Sequence, residues 1–161
     1  AGLKGKFTYY PGKKPVGITL SLAGETPELT AVHESGHFID LYALGNWGQS
    51  AFKTGYADEL NKVIKGTKAF KRQADLLSGS RTSKYIDMKH IRYLNKDEEL
   101  FARAYAQYIA SSSGDKVLLK QLNGIVATKY NRVYNAQWSK TDFKQVRKAF
   151  DSLFKEKGWI Q

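Results

Sequence analysis

The residues with the greatest chemical potential lie at positions 33–37, His33-Glu34-Ser35-Gly36-His37, which hold two of the three histidines in the chain. On a helix, positions i and i+4 share one face with Cβ atoms about 5–6 Å apart, a spacing at which two imidazoles can hold one Zn2+. Glu34 sits next to the first imidazole but is turned away from it. It can therefore act as general base toward a metal-bound water without ligating the metal itself. Zinc so held lowers the pKa of the water and polarises a scissile carbonyl, so the expected chemistry is metal-assisted hydrolysis of a peptide bond. Asp40, three residues beyond His37, falls on the ligand-bearing side, where a carboxylate can accept the outer N–H of a ligand imidazole. Glycine in mid-helix costs about 1 kcal/mol relative to Ala, so Gly36 predicts the close approach of another element.

Two histidines do not complete a zinc site, because such hydrolases supply three protein ligands and leave the fourth position to water. The chain has no cysteine, so any metal must be held by histidine and carboxylate. The candidates for the third ligand are His90, Asp97, Glu98 and Glu99. Acids in a first helical turn are ordinarily solvated and stabilised by the helix dipole. Glu99 differs, because it lies two residues before Phe101 and six before Tyr105 and can face inward with that apolar stripe. A carboxylate facing a core needs a charge partner, which a metal would provide.

The elements that must position these residues follow from pattern. Phe7–Tyr10 and Val16–Leu22 read as two short strands on either side of a Pro11-Gly12 turn. Thr26-Pro27-Glu28 reads as a helix start, with Thr26 able to cap, and that helix is expected to run to Leu44, where Gly45 and Asn46 stop it. Helical patterns follow over Ala57–Lys65 and Lys68–Leu77. Residues 78–93 read as loop with short elements. Asn95 or Asp97 can cap a helix over Glu98–Ala110. A helical run around Lys116–Tyr134 and an amphipathic helix over Thr141–Lys157 complete the chain. The expected fold class is α+β and mostly helical, a single domain over 1–161 in which 1–44 hold the strands and active helix, 45–95 form a connector, and 96–161 are helical.

His33-Glu34-Ser35-Gly36-His37-Phe38-Ile39-Asp40-Leu41-Tyr42, followed by Glu99-Leu100-Phe101-Ala102-Arg103-Ala104-Tyr105, resembles the gluzincin metallopeptidases. In that family a His-Glu-x-x-His-x-x-Asp helix is completed by a Glu opening a Glu-x-Phe-Ala-x-x-aromatic helix. The arrangement is similar to the catalytic domain of anthrax lethal factor and to the metallopeptidase-like, large-polyvalent-protein-associated domains of phage and mobile-element polyproteins. Tyr9-Tyr10 and Ile18-Thr19-Leu20 match the strands that precede the helix in the latter group. The resemblance implies a zincin-like domain, with a small N-terminal sheet packed on the active helix. It also implies Glu99 as the third zinc ligand and Tyr93 as a phenol that hydrogen-bonds the oxyanion. Val16–Leu22 would then edge the cleft, where an extended peptide adds by backbone pairing.

Composition bounds the rest. At 161 residues and 42% hydrophobic, the chain has enough apolar material for one core, which excludes a disordered chain. No apolar stretch approaches the length of a membrane span and no signal-peptide core opens the chain, so a soluble protein is expected. Because the chain starts on Ala1, we expect an excised or processed piece. Its localisation stays open between a secreted effector and a cytoplasmic or phage-associated protein. The net charge of +11 gathers in residues 53–96 and 115–161, while 97–114 are net acidic. Such a field attracts polyanions and acidic protein surfaces. The expected partner is a protein or peptide substrate, acidic or bound to nucleic acid, and the Lys-rich connector could favour acidic substrates over the cleft. The alternative reading is a polyanion- or nucleic-acid-associated binding module with a structural or vestigial metal site. No helix-turn-helix, RRM or KH signature supports it.

Overall fold

The structure is a computed structural model in which residues 4–21, 23–80 and 84–161 are described. It is α+β and mostly helical, as expected. A two-stranded antiparallel sheet pairs β1 (Gly5–Thr8) with β2 (Gly17–Leu20), with Gly5 opposite Leu20 and Phe7 opposite Ile18. β1 starts and stops two residues earlier than its aromatic run suggests, because Tyr9 and Tyr10 leave the ladder toward the turn, and β2 is shorter than Val16–Leu22 at both ends. Leu22 lies outside the described residues.

Helix α1 (Pro27–Phe38) carries the His33–His37 segment, and residues Ile39–Leu44 continue it as π-helix. The helix therefore reaches Leu44, but its last turns are wider than an α-helix. Thr26 does not cap it through its side chain. Instead the Leu29 N–H donates to the Gln121 side-chain oxygen at 2.9 Å, while the Gln121 amide hydrogen-bonds the Glu28 carboxylate. One orphan N–H of the first turn is thus served from a helix some ninety residues away, which no local pattern reveals.

The connector holds α2 (Ala51–Thr54), α3 (Asp58–Lys65), α4 (Lys68–Leu77) and α5 (Met88–Leu94). The last of these is one of the short elements expected there, with Asp87 capping it by accepting from the Lys89 and His90 N–H groups. Helix α6 (Asp97–Ser112) is followed by α7 (Lys116–Val126), α8 (Lys129–Tyr134) and α9 (Lys140–Glu156). The run read as one helix over 116–134 breaks at 127–128, where Thr128 caps α8 by accepting from the Asn131 N–H.

Helix α6 is the axis of the molecule. On one side Leu100, Phe101, Ala104 and Tyr108 join Leu60, Ile64, Trp138, Val146 and Phe150 from α3, α9 and the segment before α9. On the other, Ala106 and Ala110 join Leu29, Leu118 and Leu122 from α1 and α7. A helix buried on both sides can do this only with small residues at its crossings. At one crossing, a Cβ placed on Gly36 would lie 3.0 Å from the Ala102 Cα and 3.0 Å from Tyr105 Cδ1. The expectation that Gly36 admits a neighbouring element is met, and that element is α6.

A candidate metal centre where α1 crosses α6

Beside the close approach of Gly36 to Ala102, His33 and His37 on α1 meet Glu99 on α6. The Nε2 atoms of His33 and His37 lie 3.5 Å from Glu99 Oε2 and 3.1 Å from Glu99 Oε1, respectively. The two imidazole rings stand perpendicular, with centroids 4.9 Å apart. Ligand atoms of the three residues all lie within 4.8 Å of one another, close enough to hold a metal ion. A tetrahedral ion with ligands at 2.0–2.2 Å separates those ligands by about 3.3–3.6 Å, and the two His–Glu distances are near that range. Of the four candidates for a third ligand, the structure brings only Glu99 to the histidines. The His90 Nε2 lies 2.5 Å from the Tyr130 hydroxyl instead, and Asp97 and Glu98 remain part-exposed in the first turn.

The charges agree with a cation site. Burial alone would raise the pKa of Glu99, but hydrogen bonds from His33 and His37, and their charge, hold it well below the ordinary carboxylate range. Burial lowers His37, yet the hydrogen bond and charge of Glu99, with Glu34 and Asp40 behind it, raise it overall. The pKa of Tyr93, near the end of α5, is raised by burial and by the charge and hydrogen bonding of Glu99. A short helix at the end of a mostly irregular segment thus carries Tyr93.

Glu34 is buried beneath β1. A Cβ on Gly5 would come within 2.6 Å of Thr30 Cγ2 and 3.2 Å of Glu34 Oε1, so only glycine lets the strand lie on this carboxylate. Phe7, two residues on, lies along His37 with ring centroids 6.5 Å apart. Tyr9 continues the line, its phenol raised by burial and by the charges of Glu98, Tyr42, Asp40 and Glu99. It is β1 rather than β2 that lies along the metal-binding face of α1. The sequence carried no signal for Gly5, and Tyr9 was legible only as a strand residue.

Asp40 departs from its expected role. Its Oδ1 accepts from the Ser50 hydroxyl and the Ala51 N–H, both at 2.9 Å, so it ties the π-helical segment to the start of α2. The expected hydrogen bond to an imidazole is not made, and Oδ2 is buried with no hydrogen-bond partner. Burial lifts this carboxyl to about 7 against the pull of Ala51, Ser50 and His37. An orphaned acceptor that feels the charge of His37 is what a cation-loaded imidazole would use, so the donor set and its surroundings fit a metal.

The raised value has a consequence for the metal-free protein. A carboxyl whose folded pKa lies above its unfolded one costs stability as pH rises between the two, here from about 4 to about 7. A shift of about three pKa units corresponds to about 4 kcal/mol. Asp40→Asn keeps the acceptor for Ser50 and Ala51 and removes the titration. Urea unfolding of the metal-free proteins is expected to show wild type losing stability relative to Asp40→Asn across that interval. Parallel profiles would contradict the assignment.

Comparison with family models, curated proteins and solved structures finds no match for this chain. Among the described residues, no helix is long and apolar enough to cross a membrane.

Proposed function

We propose that the protein is a zinc-dependent endopeptidase of the gluzincin type. The observation that carries this reading is the convergence of His33 and His37 on Glu99, with Glu34 packed beside them under Gly5. His33, His37 and Glu99 would hold the ion, which when bound supplies a polarised carbonyl and a water acidic enough to be deprotonated near neutral pH. Glu34 takes the proton of the attacking water and returns it to the leaving nitrogen, as its neighbouring but non-ligating position allows. Tyr93, kept protonated by burial and by Glu99, donates its phenol O–H to the developing oxyanion. Asp40 steadies the turn of helix that follows His37. The zincin-like arrangement of sheet, active helix and Glu-bearing helix belongs to the same proposal.

Elemental analysis and a casein digest test this reading. The wild-type protein is expected to hold one zinc per chain and to cleave. Glu34→Gln preserves the shape under Gly5, so it should keep the zinc while cleavage falls by about 10²- to 10⁴-fold. Cleavage that survives Glu34→Gln removes the proposed base. A zinc-free protein with salt-sensitive nucleic-acid binding would favour the polyanion-binding module instead.

A further inference from the structure

Three of the most exposed large apolar side chains gather at the tip of the β1–β2 hairpin and the loop it touches: Tyr10 (58% exposed), Val16 (65%) and Trp47 (53%). Two backbone contacts fasten the tip. The Gly12 N–H donates to the Trp47 carbonyl at 2.6 Å, and the Tyr42 hydroxyl donates to the Lys13 carbonyl at 2.9 Å. Trp47 itself has φ 49, a left-handed conformation that bulky L residues rarely adopt. Strain of this kind persists where the surroundings impose it, and it concentrates at functional positions. Here its effect is to hold an indole out into solvent rather than to bury it.

The charge along the hairpin is of one sign. Residues 4–24 contain Lys4, Lys6, Lys13 and Lys14 and no acid, and all four lysines are exposed. A second copy of the chain would bring like charges together, so self-association through the tip is opposed. Tyr and Trp with an apolar body and a polar edge, a β-branched apolar residue and flanking lysines are the residue types that seat in the headgroup region of an anionic bilayer.

We propose that the hairpin tip and Trp47 form a docking surface for an anionic lipid membrane. Tyr10, Val16 and Trp47 enter the interface, while Lys13 and Lys14 meet acidic headgroups. The Tyr42 tether places this surface five residues beyond His37 on the same helical segment, so docking would present the metal site at the membrane. The proposal does not depend on what the metal site does.

Cosedimentation with phosphatidylcholine vesicles, with and without phosphatidylserine, tests it. Wild-type protein is expected to bind the phosphatidylserine vesicles, to bind neutral ones weakly, and to release as salt is added. Lys13→Ala/Lys14→Ala should weaken binding roughly thirtyfold, given the contribution of each basic residue near an anionic surface. Trp47→Asn should weaken it roughly tenfold by removing the inserted indole, while Asn tolerates the left-handed backbone, so melting temperature and metal content stay near wild type. Lys144→Ala/Lys148→Ala on α9 should leave binding unchanged. Absence of binding to phosphatidylserine vesicles overturns the proposal, as does an equal loss from the α9 pair, which would mark general cationic adhesion. Binding to poly-glutamate through the tip without binding to vesicles would assign the surface to an acidic protein and overturn it equally.

Discussion

Glu99→Ala is expected to leave a folded protein that retains almost no metal and hydrolyses peptides at background rate. The side chain does two jobs that no neighbour can take over. It closes the triad with both imidazoles, at 3.1 and 3.5 Å, and its charge offsets that of His37 in a buried setting. Loss of an outer hydrogen-bond partner of a ligand typically weakens metal binding by 10- to 100-fold, and loss of the ligand itself should exceed that. Two histidines on α1 would remain, enough for weak binding but without the third donor of a hydrolytic zinc site. Glu98 does not substitute, since it stays part-exposed in the first turn and is not one of the residues whose ligand atoms converge. The measurement is zinc affinity by competition with a chelator, together with circular dichroism to verify the fold. Retention of wild-type affinity would mean that the ion is held elsewhere, and the proposed function would lose its foundation. Glu99→Asp provides a graded control, because it keeps the charge but withdraws the carboxylate by one methylene.

The imidazole pair, the need for a third ligand and the reason for Gly36 were legible in the sequence because they depend on helical period, zinc coordination and glycine's helix cost, none of which needs tertiary structure. A spacing of four places two side chains on one face whatever the tertiary structure, and a mid-helix glycine signals close approach without naming the neighbour. What the sequence could not supply were contacts between distant segments. Gly5 lies between two lysines with nothing to mark it as the roof over Glu34. Asp40 was placed on the correct side of its helix, but its main partners, Ser50 and Ala51, sit in a short helix that the periodicity did not reveal. The α5 segment reads without period because only Ile91 and Leu94 are buried in it, too few to make a stripe, and its start is set by Asp87 capping rather than by packing. Thr26 has the composition of a cap and is overridden by Gln121, a case of tertiary contact displacing a local preference.

Arg103 shows how much a buried contact can hide inside a motif. Its position in the Glu99–Tyr105 segment suggested nothing beyond helix, yet it is 4% exposed and its guanidinium bridges two distant carbonyls. One nitrogen donates to the Leu94 carbonyl at the end of α5 at 2.5 Å, another to the Ala136 carbonyl, and the group lies 5.2 Å from the Trp138 ring. Burial pulls its pKa down to about 10, a measure of how unfavourable the site is for a charge, although Glu99 offsets part of it. Arg103→Met retains much of the volume while stripping the donors from both carbonyls. Each buried acceptor left without a donor costs about 1–3 kcal/mol, so a loss of about 2–5 kcal/mol is expected in urea unfolding, reduced somewhat by the relief of burying a charge. The functional consequence is more specific than the stability loss. Leu94 follows Tyr93, so freeing the end of α5 should loosen the phenol that faces Glu99. Under conditions where the variant stays folded, zinc content is expected to remain near one per chain while kcat falls, because the ligands on α1 and α6 do not depend on α5. Arg103→Lys, which keeps the charge but cannot reach both carbonyls, should fall between. If Arg103→Met were as stable as wild type and cleaved equally fast, the buried guanidinium would be a passive filler, and the route by which α6 holds Tyr93 in place would have to run through Ile91 and Leu94 packing alone.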